Sequence, residues 1–177
     1  MDDALGFSLQ GDPQEDAQDP LHAKLRACLT SLNMARECAT LMLRRRWTNL
    51  PYLQQGRGQL EQIAFTKAMI VSYGRALSPG VGNVAFPEEL IGFEGEYRAL
   101  HDKVLRLRLR EFAQSQGAAD APAGNVVPLG AKPKPGNPFR DVFFTADELE
   151  QFLLMTHELM LRVGERVAYV GASKQSA

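Results

Sequence analysis

Arg108 and His101 are the side chains whose types and spacing could do chemistry together. They lie seven positions apart in a predicted helix, which places them within about 20° of each other around it and about 10 Å apart along it. A guanidinium holds a phosphate with a forked, fixed charge, and an imidazole transfers protons near neutral pH. Gln114 follows Arg108 and forms hydrogen bonds, but it cannot supply that acid/base step. The three residues are therefore candidate catalytic residues with limited chemistry.

Two of these residues also have a structural interpretation. A histidine such as His101 is more often packed or hydrogen-bonded at a helix contact, and we favour that interpretation. Arg108 interrupts the apolar stripe of its helix, so a structural arginine paired with Glu111, Asp102 or an acid on another helix is equally compatible with the pattern. The sequence leaves both roles of Arg108 open.

A basic surplus is hidden in the nearly neutral composition. The chain has 20 basic and 21 acidic side chains, but six acids and no Lys or Arg lie in the first 20 residues. The remaining chain is mildly basic, which is compatible with an anionic partner such as RNA. Arg106 and Arg110 are expected to be solvated. For the run Arg44, Arg45, Arg46, which closes the first predicted helix, a solvated helix end is the favoured interpretation. The candidate nucleic-acid-binding residues are Arg44, Arg45, Arg46, Lys132 and Lys134.

Several functional classes lack support in the sequence. Cys28 and Cys38 lie in one predicted helix about 15 Å apart along its axis, too far for a disulfide. The histidines lack zinc-ligand spacing, and no Gly-rich phosphate loop or catalytic triad is recognisable, so we expect neither a metal nor a cofactor. The longest apolar run, about four residues at 68–71, is far shorter than a membrane span. With no secretory signal pattern, we expect a cytoplasmic protein without membrane contact.

Apolar periodicity predicts that the chain begins with a tail and two helices. Residues 1–19 are acidic and lack an apolar period, so they are predicted to form a disordered tail. Asp19 and Pro20 give the N-cap and first-turn proline of a helix that carries a regular apolar stripe. A second helix, predicted at about 59–77, is expected to be the most buried one. Its apolar residues are Leu60, Ile63, Ala64, Ile70, Val71 and Leu77.

Two further helices complete an all-α fold. The third is predicted at about 87–115, with a break around 92–95. A long loop at 116–144 follows, in which 125–129 and 141–144 are candidates for a short β-hairpin. A Thr-x-x-Glu capping box at 145–148 opens the last helix, and 171–177 are predicted to fray. The sequence thus predicts one antiparallel four-helix bundle over residues 20–170, with a long loop or short β-hairpin before the last helix.

The end of the third predicted helix resembles the signature of the HEPN superfamily of small helical bundles. In that signature an arginine is followed four to six residues later by a histidine. Arg108 occupies the arginine position and Gln114 the histidine position, while Ala113 and Ser115 match the flanking positions. Trp47 and the run Tyr73, Gly74, Arg75 also look like positions retained in bacterial HEPN-like proteins. The resemblance spans about residues 20–170.

This resemblance implies a metal-independent ribonuclease fold that works as a homodimer, with the arginine and histidine of both protomers in one cleft. Because Gln114 replaces the histidine, we expect a binding protein that has lost nuclease activity. It would act through homodimerisation and contact RNA or a partner protein, such as a nucleotidyltransferase-like antitoxin, in a bacterial or phage conflict system. Two alternatives stay open: an active metal-independent endoribonuclease that uses Arg108 with His101 or Gln114, and an unrelated adaptor bundle that binds through residues 116–144.

Overall fold

The chain folds as a bundle of four α-helices. A computed structural model describes residues 19–48, 57–80, 83–117 and 143–175. The helices are α1 (Pro20–Arg44), α2 (Arg57–Leu77), α3 (Gly95–Gly117) and α4 (Ala146–Gln175). A 3₁₀ turn at Glu88–Leu90 precedes α3. No strand occurs among the residues that the structure describes, so the predicted all-α fold is confirmed.

Each helix packs against two others, so the four form a ring around one core. α1 lies against α2 and α4, and α3 completes the ring between the same two helices. Near the start of α1, Lys24 reaches the last turn of α2, and near its end, Trp47 contacts Gln62 in the first half of α2. These contacts make α1 and α2 antiparallel. α3 and α4 are also antiparallel, because Glu96 bonds to Gln151 and Lys103 to Glu148.

The predicted stripe of α1 is the centre of the core. The Asp19 carboxylate accepts a hydrogen bond from the Leu21 N–H at 3.0 Å, which caps the helix at the predicted residue. The helix ends at Arg44, after which Arg46 adopts a left-handed φ of 55° and the Trp47 N–H donates to the Met42 carbonyl. This closure turns the buried Trp47 ring back onto Phe65. The buried side chains of the stripe are Leu25, Cys28, Leu32, Ala35, Ala39 and Met42.

The face that α2 buries differs from the predicted one. Leu60 is 55% exposed and Val71 is 43% exposed, whereas Gln62 and Thr66 are buried. The Gln62 amide donates to the Trp47 carbonyl at 3.0 Å, and the Thr66 hydroxyl donates to the Gln62 carbonyl. These hydrogen bonds offset the cost of burying the two polar side chains, which join an inward face whose other members are mostly apolar. Eight of the 21 residues of α2 are buried, against eight of 25 in α1, so α2 is the more buried of these two helices.

Glycines and a capping box define the ends of the last two helices. The predicted break before α3 is present, since Gly92 and Gly95 have positive φ values of 31° and 54°. At the start of α4, the Glu148 N–H donates to the Thr145 hydroxyl and the Thr145 N–H donates to the Glu148 carboxylate, at 3.1 and 3.0 Å. α4 continues to Gln175, past the predicted fraying point at 171. Gly171 does not end the helix, because one glycine costs only about 1 kcal/mol relative to alanine, which a long helix tolerates.

Part of the predicted loop lies outside the described residues. This applies to 118–142, which include the first candidate hairpin strand. Of the second candidate strand, Phe143 and Phe144 are described, and they form irregular structure that leads into α4. Within the described segments, none of the helices has both the length and the apolar character that crossing a bilayer requires.

Candidate nucleic-acid interface

α3 presents two polar faces, each directed at a different neighbour. Helix positions separated by three, four or seven residues share a face. The inner face carries His101 and Arg108, both of which contact α2. The outer face lies next to the start of α4 and carries Lys103, Arg106, Leu107 and Arg110. The two faces therefore have different chemical environments.

His101 on the inner face is packed in the core. The residue is only 3% exposed, and its Nδ1 lies 2.7 Å from the Tyr73 hydroxyl in a buried hydrogen bond. The ring also packs against Phe93, with the two centroids 5.6 Å apart. Burial lowers the pKa of the imidazole below its usual value, although the Asp102 carboxylate opposes that shift. His101 is therefore placed to join α3 to α2 and away from any solvent-borne substrate.

Arg108 on the same face holds the end of α2. Its Nη1 donates to the Gly74 carbonyl and, at 2.6 Å, to the Ser78 hydroxyl. The side chain crosses α2 directly over Gly74, where a Cβ would overlap Cδ of Arg108 and lie 2.6 Å from its Nε. The negative end of the α2 dipole also stabilises a cation at this point. Of the acids considered from the sequence, Asp102 instead pairs with Arg98, at 3.3 Å.

A second cation, from α1, binds the same turn of α2. Lys24 is only 6% exposed and its Nζ donates to the Ala76 carbonyl at 2.8 Å. Burial lowers the pKa of Lys24, and the charge of Arg108 lowers it further. One turn along α1, burial raises the pKa of the Cys28 thiol to about 11, so this thiol is an inert core side chain. Lys24 and Arg108 thus fasten α1 and α3 to the last carbonyls of α2.

The outer face of α3 borders a cavity of about 510 Å³ at the start of α4. A volume of this size accommodates a small ligand or one unit of a polymer. From α3, the cavity is lined by three cationic side chains spaced three and four positions apart, together with Leu107. The full lining is Lys103, Arg106, Leu107, Arg110, Phe143, Thr145 and Glu148. We call this site the α3–α4 cavity.

The lining of the α3–α4 cavity contains three cationic side chains and one carboxylate. Lys103 neutralises Glu148, since its Nζ lies 2.6 Å from the carboxylate and also donates to the Phe143 carbonyl. Arg106 and Arg110 are exposed and add positive charge to the rim. The capping box already occupies the Thr145 and Glu148 amides, so an anion would be held by α3 side chains rather than by the start of α4. The arrangement suits an anionic ligand.

The structure separates the predicted site residues into groups. His101 and Arg108 contact consecutive residues of α2, Tyr73 and Gly74, which are among the positions quoted for the HEPN resemblance. Gln114 belongs to the last turns of α3. Lys132 and Lys134 fall outside the described residues. The run Arg44, Arg45, Arg46 is exposed at the far end of α1, about 30 Å along the helix from Lys24.

Sequence reasoning missed the α3–α4 cavity. Arg106 and Arg110 were expected to be solvated and nothing more, although their spacing from Lys103 places all three on one helix face. That spacing is the signal that could have found them. Phe143 had no such signal, because its place in the cavity depends on how the segment before α4 meets α3.

No family model, curated protein or solved structure matches this chain. Among the described residues, no group of three metal-ligating side chains is close enough to hold an ion.

Proposed function

We propose that this chain is a HEPN-like helical-bundle protein of the cytoplasm that binds single-stranded RNA without cleaving it. The observation that carries the proposal is the α3–α4 cavity, which is lined by three cationic side chains of one helix face and by the aromatic residue Phe143. Single-stranded nucleic acids are bound by this combination, in which basic side chains follow the phosphates and bases stack on aromatic rings. Arg106 and Arg110 would contact the phosphates, since Lys103 is paired with Glu148, and Phe143 would stack on a base.

The inner face of α3 supports binding rather than catalysis. Metal-independent cleavage needs a group that transfers a proton at the 2′-hydroxyl and a cation that reaches the scissile phosphate. His101 is hydrogen-bonded to Tyr73 within the core, and the Arg108 guanidinium is bound to Gly74 and Ser78. Gln114 cannot replace the histidine as an acid or base. An RNA held at the outer face would therefore remain intact.

Reversing the charge of Arg106 tests where RNA binds. Arg106→Glu should weaken binding of a fluorescein-labelled single-stranded RNA roughly tenfold at low salt, because phosphate contacts dominate the affinity of such complexes. Arg26→Glu is the matched control: Arg26 is exposed on α1 and does not line the cavity. It makes the same change in net charge and should weaken binding less than about twofold. Fluorescence anisotropy gives both dissociation constants; equal losses in the two variants, or no binding by the unmodified protein, would refute the proposal.

A second candidate function is an adaptor bundle unrelated to HEPN proteins. It is favoured by Arg108, whose bonds to Gly74 and Ser78 serve the packing of the chain itself. An adaptor would bind no RNA at the α3–α4 cavity, so the anisotropy experiment separates the two candidates. The homodimer and the nucleotidyltransferase-like partner implied by the resemblance stay predictions. Light scattering at micromolar concentration checks the homodimer.

A further inference from the structure

The acidic charge of the chain is concentrated in a segment that precedes α1. The first 20 residues hold six of the 21 acidic side chains and none of the 20 basic ones. Five of these acids lie in residues 1–18, and the sixth, Asp19, caps α1. The same segment carries three apolar side chains at alternate positions, Leu5, Phe7 and Leu9. It therefore combines negative charge with a small apolar surface.

The start of α1 and the α3–α4 cavity lie at the same end of the bundle. Lys24 of α1 and Arg108 of α3 bind carbonyls of one turn of α2, so both helices reach the same end of α2 there. Arg106 and Arg110 are each about 3 Å along α3 from Arg108. Residues 1–18 thus join the bundle within roughly two helix diameters, about 20 Å, of the cavity. A flexible chain of that length spans about 20 Å on average and about 60 Å when extended.

We propose that residues 1–18 dock on the α3–α4 cavity and compete with RNA for it. The acids would lie against Arg106 and Arg110, while Phe7 and its apolar neighbours contact Leu107 and Phe143. Tethering gives the segment a local concentration of the order of millimolar, so even weak contacts produce substantial occupancy. Docking itself depends only on the cavity and the segment. Its effect on RNA rests on the function proposed above.

The other basic cluster is a poorer site for the segment. Arg44, Arg45 and Arg46 are exposed at the opposite end of α1, about 30 Å along the helix from Lys24. Attraction between exposed charges is screened within about 10 Å at moderate salt, so the nearer cluster is favoured from the outset. The α3–α4 cavity also offers a concave, partly apolar surface.

Docking is tested without RNA by a spin label in the segment. Gln10→Cys provides the attachment point in the full chain, since both native thiols are buried and the pKa of Cys28 is raised to about 11. We expect paramagnetic broadening of the NMR signals of Lys103, Arg106 and Arg110 and little at Arg44. Broadening should fall when the five acids of residues 1–18 are neutralised as Asp2→Asn, Asp3→Asn, Asp12→Asn, Glu15→Gln and Asp16→Asn. Absent broadening, or broadening unchanged by neutralisation, would overturn the docking proposal.

Competition is tested by anisotropy with the same neutralised chain, without the label. It should bind single-stranded RNA about tenfold more tightly than the unmodified chain. The matched control neutralises five exposed carboxylates elsewhere on the bundle and makes the same change in net charge. It should gain less than about twofold, since charges beyond a Debye length are screened. The control substitutions are Glu37→Gln, Glu88→Gln, Glu89→Gln, Glu150→Gln and Glu165→Gln.

The two measurements separate the proposals. Equal gains in the neutralised chain and its control would overturn competition, because net charge alone would then explain the affinity. Broadening at the cavity together with no RNA binding in any variant would support docking and refute the proposed function. RNA binding that depends on Arg106 but shows no broadening from the label would support the function and refute docking.

Discussion

Replacing Gly74 with alanine will destabilise the unmodified protein but stabilise a chain that carries Arg108→Ala. In the unmodified protein the new methyl group displaces the distal half of the Arg108 side chain, which lies over Gly74 and bonds to the carbonyl of that residue. Overpacking of this kind costs about 1–3 kcal/mol. Truncation of Arg108 removes all three of the atoms that lie nearest to this Cβ position, and alanine then gains up to about 1 kcal/mol over glycine within a helix.

The single substitution Arg108→Ala completes the cycle. It removes hydrogen bonds from a charged donor to the Gly74 carbonyl and the Ser78 hydroxyl, so we expect a loss of about 2–3 kcal/mol. Urea denaturation followed by circular dichroism gives the free energy of unfolding for all four members of the cycle. Gly164→Ala is the control, because nothing lies within 4 Å of a Cβ at that helical position. It should stabilise by about 0.5–1 kcal/mol, and a Gly74→Ala effect of the same sign in both backgrounds would contradict the role of Arg108.

Tyr73→Phe is the second large change, and it acts through His101. The substitution removes the hydroxyl that bonds the buried Nδ1 at 2.7 Å, and a buried polar atom left without its partner costs about 1–3 kcal/mol. Tyr73 is fully buried and packs against Phe152, so retention of the ring isolates the hydrogen bond from the packing. The measurement is again the free energy of unfolding in urea. A loss below about 0.5 kcal/mol, the usual range for surface changes, would contradict the structural role of this bond.

The same bond predicts how stability depends on pH. Burial lowers the pKa of His101 in the folded chain, so the unfolded chain binds the proton more readily. The resulting stabilisation is fully present above the unfolded pKa, about 6.5, and is lost as pH falls through the folded value. His101→Gln should therefore reduce the decline in stability between pH 7.5 and 5. His157→Gln, at an exposed histidine, is the matched control for the substitution itself. A decline as steep in His101→Gln as in the unmodified protein would refute the assignment.

Features governed by local pattern were predictable from the sequence. The stripe of α1, the Asp19 cap, the glycine break before α3 and the Thr145–Glu148 capping box each depend on residues close together in the chain. The structure places all of them as expected. Such signals need no knowledge of which helices become neighbours.

Features that depend on neighbouring helices were not predictable in the same way. Leu60 and Val71 of α2 are apolar yet exposed, whereas the polar residues Gln62 and Thr66 are buried and form hydrogen bonds there. For Arg108 the sequence offered acidic partners, whereas the structure adds a backbone carbonyl and the Ser78 hydroxyl. A backbone carbonyl has no signature in the sequence. The contact was therefore not predictable, although Gly74 leaves the space that the Arg108 side chain occupies. The inner face of α3 was recognised as chemically capable, and the outer one was overlooked.

RNA integrity tests the central claim most directly. Single-stranded RNA is incubated with the unmodified protein and with Arg108→Ala, in the presence of a chelator, and resolved on a denaturing gel after circular dichroism has verified that both chains are folded. Our account predicts intact RNA in both, because His101 and Arg108 hold α3 against α2. RNA cleavage by the unmodified protein that disappears in Arg108→Ala would contradict it.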